Sequence, residues 1–179
     1  MKITKNLRFF SSLIVLIRIL FGVGWLLAGI TKITEKLWFK EPGLFLKEYL
    51  MDSLQNPNTP SFYKIFIENI VLEHVMFFNY AIPIVQMILG IFLIVGLFII
   101  PSILICLFMH INFILSGNMN LMSLALYTSA FLLIIFQTNM YHFSLDKSFN
   151  LQTLFTITQN KKETTASLPS NKERLLRNS

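Results

Sequence analysis

Residues Phe9 to Ile30 read FFSSLIVLIRILFGVGWLLAGI, an apolar run long enough to cross a bilayer, with Arg18 near its middle. A charge at that depth is costly, so it turns toward a bundle interior and takes a partner. The chain must therefore supply other helices around the first. Spacing sharpens the point. Arg18, Gly22, Trp25, Gly29 and Lys32 recur every three or four residues, which sets them on one helical face.

Composition agrees with a membrane class. Of 179 residues, 54% are hydrophobic and 13% charged, about half the charged share of a soluble domain. The length suits one bundle. Eighteen phenylalanines suit surface that faces lipid. A single cysteine, Cys106, excludes an intramolecular disulfide and any paired-thiol chemistry, and its apolar surroundings make it a small buried hydrophobe. The net charge of +6 brackets the apolar segments, so it is a topology signal rather than a nucleic-acid signal. No signal-peptide cleavage is expected: the first run exceeds an ordinary h-region, holds Arg18 and ends in AGITK.

Four spans are read, at about 9–30, 79–99, 101–116 and 121–141. The expected fold is all-α: a four-transmembrane-helix bundle over residues 1–147, with a helical outer connection between the first two spans. Residues 148–179 form a polar tail, expected to be disordered and cytoplasmic. Lys2, Lys5 and Arg8 precede the first span and Lys147, Lys161 and Lys162 follow the fourth, so both termini are expected in the cytoplasm of a multi-pass cell-membrane protein. Gly96 and Pro101 mark one short turn and Ser116 to Asn120 the next. In the outer connection, Pro42 to Met51 has amphipathic spacing. NPNTP, 56–60, makes a turn with Thr59 as a cap and Pro60 opening a helix over 61–78. That helix either lies on the outer surface or packs as a lid.

Counting helical rise places Arg18 and His110 at similar depth near the middle, with Gln86, Asn112, Ser116 and Tyr127 above them. Lys32 and Asn118 fall at the outer mouth. These side chains define a polar interior with Arg18, Lys32, Gln86, His110, Asn112 and Asn118 as candidate ligand contacts. The plainer reading of each is a hydrogen bond across helices. Gly22, Gly29 and Gly90 are placed to let helices approach closely. His74, His110 and His142 fall at three different depths, which disfavours a bis-histidine haem. No metal site, phosphate loop, nucleophile elbow or other self-sufficient catalytic constellation is present, so no catalytic residue is assigned.

Three segments carry a family likeness. RILFGVGWLLAGITKI, 18–33, has the pattern Arg-x3-Gly-x2-aromatic-x3-Gly-x2-Lys and resembles the first helix of DoxX-type membrane proteins. QMILGIFLIVGLF, 86–98, resembles the family's Gly-rich second helix and turn, and FMHINFILSGN, 108–118, the end of its third. The likeness covers roughly residues 8–145. It implies four transmembrane helices and kinship with the small subunit of thiosulfate:quinone oxidoreductase. Family members often carry Glu near the start of the second helix. Here that position is Gln86, so Arg18 loses a carboxylate counter-ion, and Glu35, Glu41 or a ligand anion would have to replace it.

The function this implies is an accessory subunit of a quinone-linked redox assembly, with a polar intramembrane pocket for a quinone or another polar-headed ligand. Its partners would be the lipid bilayer, a soluble redox enzyme and a second copy of the chain, with no nucleic acid. The alternative is a small-solute permease or a non-catalytic membrane scaffold.

Overall fold

The computed structural model describes residues 2–117, 120–149 and 151, with side chains from Arg8 onward. All regular structure among them is helical. The elements are α1 (Lys2–Thr34), α2 (Leu44–Gln55), α3 (Ser61–Phe66) continuing into a π-helical turn (Ile67–Val71), α4 (Val75–Val95), α5 (Ile99–Leu115), α6 (Leu121–Ile135), α7 (Gln137–Met140) and α8 (Leu145–Ser148). Of the expected tail, 148–179, Ser148 closes α8, and residues 150 and 152–179 lie outside the described residues.

Helices α1, α4, α5 and α6 pack in a ring: α1 against α4 and α6, and α5 between α4 and α6. Two of them are long and apolar enough to cross a membrane, α1 over Arg8–Thr34 and α4 over Val75–Val95. Helices α5 and α6 are apolar but shorter, at 17 and 15 residues. The ring faces outward with large apolar side chains on every helix, among them Leu20 and Leu27, Ile84 and Ile88, Leu104 and Phe108, and Leu124 and Ile135. Inside, Phe21, Trp25, Leu93, Ile103, Cys106 and Leu133 form one core.

The closest approach is between α1 and α4. A Cβ on Gly22 would lie 2.9 Å from the Gly90 carbonyl oxygen, and one on Gly90 only 2.6 Å from the Leu26 amide nitrogen. Gly29 meets α4 about two turns higher, 2.8 Å from the Pro83 carbonyl oxygen. The glycine spacing in the sequence thus becomes backbone-to-backbone contact, which only hydrogen side chains permit.

The connection between α1 and α4 is a lid with its own core. Trp38, Leu46, Leu50, Tyr63, Ile67 and Val71 pack together and against Phe78, Ile82 and Leu115 of the ring. Buried Asn79 of α4 holds the lid's edge, its Nδ2 donating to the Trp38 carbonyl at 2.7 Å. Pro60 rather than Thr59 occupies the cap position of α3, and the Thr59 hydroxyl is buried without a partner. The helix expected over 61–78 is broken: it passes through the π turn and re-forms at Val75.

The fourth helix of the ring is also interrupted. Helix α6 stops at Ile135, and Phe136 leaves helical geometry at φ −100°, ψ 35° before the short α7. Neither Pro nor Gly marks the break. Beyond it, at the end of α7, the carbonyls of Met140 and Phe143 meet Arg18.

Candidate functional site

Arg18 is 1% exposed. Its Nη1 donates to the Met140 carbonyl at 2.7 Å and its Nη2 to the Phe143 carbonyl at 3.2 Å. Those carbonyls are free to accept because the chain has left helical geometry around them. The acid missing from α4 is supplied by Asp146, a residue the sequence reading passed over. Asp146 is fully buried and within electrostatic reach of the guanidinium. Its two carboxylate oxygens accept from the Phe98 and Ile99 amides at 2.8 and 2.9 Å, capping the N-terminus of α5 from outside that helix. The Asp146 amide in turn donates to the Gly96 carbonyl at 2.9 Å. Gly96 stands in the αL region at φ 74°, and a Cβ there would lie 2.9 Å from Arg18 Nη1 and 2.6 Å from Ser144 Cβ. Arg18 is therefore the hub of a clasp that ties α1, the α4–α5 turn and the segment after α7 together.

His110 belongs to a different layer. Its Nε2 lies 2.8 Å from the Ser123 carbonyl oxygen. Its ring stacks on Tyr127 and meets Trp25 edge to face, with centroids 6.0 and 6.3 Å away. Trp25 is about two turns above Arg18, roughly 10 Å along α1, so the expected Arg18–His110 neighbourhood does not form. The space between His110, Trp25, Phe21 and Tyr127 has no room for a water molecule. Gln86 is 2% exposed, and its Oε1 has no partner. Glu35 and Glu41, the other acids considered for Arg18, lie together in the connection between α1 and α4 beside Lys36 and Glu48.

Open space is found higher, beneath the lid, in two adjoining cavities that share Leu46, Tyr49 and Phe113 as walls. One, of about 380 Å³, is lined by Lys32, Lys36, Trp38, Asn120 and Ser123 among others. Lys32 Nζ reaches only the Ala28 carbonyl of its own helix, at 3.3 Å. The ammonium lies 5.9 Å from the Trp38 ring centroid and 5.5 Å from that of Phe113, in cation–π range. The Trp38 indole N–H is buried without a partner. Among the described residues, no carboxylate lines this cavity. Its charged lining residues, Lys32 and Lys36, are both cations, so it suits an anion or a ligand rich in carbonyl oxygen.

The second cavity, of about 310 Å³, lies between the lid and helices α4 and α5. Its polar groups are already paired. Tyr63 Oη donates to Asn112 Oδ1 at 3.1 Å, and Asn112 Nδ2 donates to the Phe108 carbonyl at 2.8 Å. Tyr49 shares a hydrogen bond with Ser116, whose hydroxyl also reaches the Phe113 carbonyl. Burial, followed by the neighbouring Tyr49, pushes the Tyr63 phenol up to about 12, so it remains a donor at ordinary pH.

Of the six candidate contacts, the structure brings only Lys32 and Asn112 to these cavities, one to each. Arg18 and His110 are bound to backbone carbonyls at separate levels, and Gln86 is enclosed in the core. Asn118 lies outside the described residues. Trp38, Tyr49, Tyr63 and Asn120 were missed. Helical spacing within one span does not register residues from a connecting loop, although the density of aromatic side chains in 38–66 was an available signal. Among the described residues, no group of three or more metal-ligating side chains is brought together. No protein-family model, curated protein or solved structure matches the chain.

Proposed function

We propose that the chain is a DoxX-like integral membrane protein in which all four apolar helices cross the bilayer, with both termini cytoplasmic and the lid outside. In this reading it serves as an accessory subunit of a quinone-linked redox assembly, and the ligand site is the Lys32 cavity beneath the lid. The observation that carries it is Lys32: a cation held between two aromatic faces, in a cavity with no carboxylate among its described lining residues. A quinone carbonyl oxygen would accept from the Lys32 ammonium. The residues of the first-helix likeness also have distinct structural uses. Gly22 and Gly29 are helix contacts, Arg18 and Trp25 are buried, and Lys32 faces the cavity. Electrons would come from the soluble redox partner.

The test is a quinone titration of the Trp25→Phe protein in lipid nanodiscs, read by quenching of the remaining Trp38 fluorescence. Saturable quenching that disappears in Lys32→Ala supports the reading. Quenching that is linear in quinone, or equal in the Lys32 variant, overturns it.

The clasp favours a second reading, a non-catalytic membrane scaffold. Arg18 is committed to backbone carbonyls, and the layer around His110 is closed. The same two features disfavour a permease, which needs a continuous polar path. Solute uptake by protein-containing vesicles above that of empty ones would reverse this preference.

A further inference from the structure

The second cavity has a property that the first lacks. Tyr49, Tyr63, Asn112 and Ser116 are its polar lining residues, and their hydrogen bonds are made with one another or with backbone carbonyls. Among the described residues, no charged one lines it. Water entering such a space would find few partners, and apolar cavities of this kind stay dry and accept hydrocarbon. At about 310 Å³ it has room for roughly ten groups the size of a water molecule.

Its opening faces sideways. Two lining residues are well exposed, Ile70 of the π turn at 45% and Phe108 of α5 at 68%. Phe108 continues the outward stripe of Leu104, Ile105 and Ile111, the apolar belt of the ring. The way in therefore runs from the belt, between the π turn and α5. On the inner side, Leu46, Tyr49 and Phe113 line both this space and the Lys32 cavity, so the two adjoin.

We infer that the dry cavity is a chain-binding site. Its occupant is a bilayer-resident amphiphile with one hydrocarbon tail, which enters laterally past Ile70 and Phe108 and whose acceptor-bearing head reaches Lys32. The head's position rests on the ligand reading above, whereas the tail's position rests on the cavity alone. A ligand held this way is drawn from the membrane, not from water, and its affinity depends on the tail.

The test uses the full chain in phosphatidylcholine nanodiscs and reads the rise in unfolding temperature with added probe. Three probes are compared: a benzoquinone bearing a ten-carbon chain, the same ring without a chain, and dodecanoate. The chain-bearing quinone is expected to act at a total concentration at least about a hundredfold below that of the bare ring, because its chain gathers it into the bilayer and then fills the cavity, and the filled variants isolate the second effect. Val71→Phe and Met109→Phe fill the cavity from different walls, and either one that folds should erase the advantage of the chain. A bare ring as potent as the chain-bearing one overturns the inference and leaves the quinone reading standing. Filled variants that still respond to the chain also overturn it. A shift with dodecanoate and with neither ring upholds the chain site and removes the quinone.

Discussion

Arg18 and Asp146 close the same end of the helix ring without sharing a helix. The guanidinium holds the carbonyls of Met140 and Phe143, while the carboxylate holds the amides of Phe98 and Ile99. Gly96 lies between them, bonded through its carbonyl to the Asp146 amide and too close to Arg18 to carry a side chain. Each charge thus satisfies backbone groups that a helix break or a helix start left open. The charges also face each other across a low-dielectric region, where mutual attraction offsets part of the cost of burying both.

Asp146→Ala should therefore destabilise the protein by about 3 kcal/mol, because two buried amides lose their acceptor. Asp146→Asn keeps one acceptor oxygen and should cost about half as much. Arg18→Met should be comparably damaging, and the double variant Arg18→Met/Asp146→Asn less damaging than the sum of the two. Thermal unfolding in nanodiscs measures all four. Additive losses would show that the two residues act independently.

The glycine contacts make a sharper contrast. Gly90→Ala puts a methyl 2.6 Å from the Leu26 amide nitrogen, against backbone that cannot yield, and should lower the unfolding temperature markedly or prevent a monodisperse preparation. Gly24 is on the same helix as Gly22, yet its nearest neighbour is a Leu126 methyl at 3.1 Å, the end of a flexible side chain. Gly24→Ala should be tolerated to within about 1 kcal/mol, helped by the better helix propensity of alanine. Equal behaviour of the two variants would mean that α1 and α4 do not meet as described.

How far these features were legible in the sequence varies with their physical origin. Helix contacts at Gly22, Gly29 and Gly90 follow from spacing alone, and the structure bears them out. Burial of Arg18 follows from the cost of exposing a charge to lipid. The identity of its acid did not follow, because Asp146 lies just past an apolar run whose interruption at Phe136 no Pro or Gly announces. Counting helical rise through an unbroken fourth helix places the end of that span too low. The same counting put Arg18 beside His110, since a depth estimate treats helices as parallel and straight. The lid cavities were illegible for another reason: they are built between a connection and the ring, and periodicity within one element carries no information about a neighbour's register.

Tyr63 gives the lid a pH signature. Its phenol is raised from about 10 to about 12 by burial. A group whose folded-state value is raised contributes stability that is complete below the unfolded value and lost as pH rises through the folded one. Stability should therefore fall between pH 10 and 12 as the unfolded state sheds a proton that the folded state keeps. Tyr63→Phe removes that part of the slope, and also removes the hydrogen bond to Asn112 at neutral pH. Unfolding midpoints at intervals across the range, compared between the two proteins, would give parallel curves if the phenol were not buried.

Topology can be tested through Cys106, the single cysteine of the chain, which is fully buried. Native protein should resist a maleimide until it is unfolded in detergent, and Cys106→Ala then gives a silent background. On that background Glu48→Cys reports from exposed α2 in the lid, and Lys147→Cys from exposed α8 beyond the last long helix. If all four apolar helices cross the membrane with the termini inside, an impermeant maleimide added to intact cells labels position 48 and not 147. Permeabilising the cells then exposes 147. Labelling of both positions in intact cells would put the lid and the clasp on one side of the bilayer, and the four-span reading would fall.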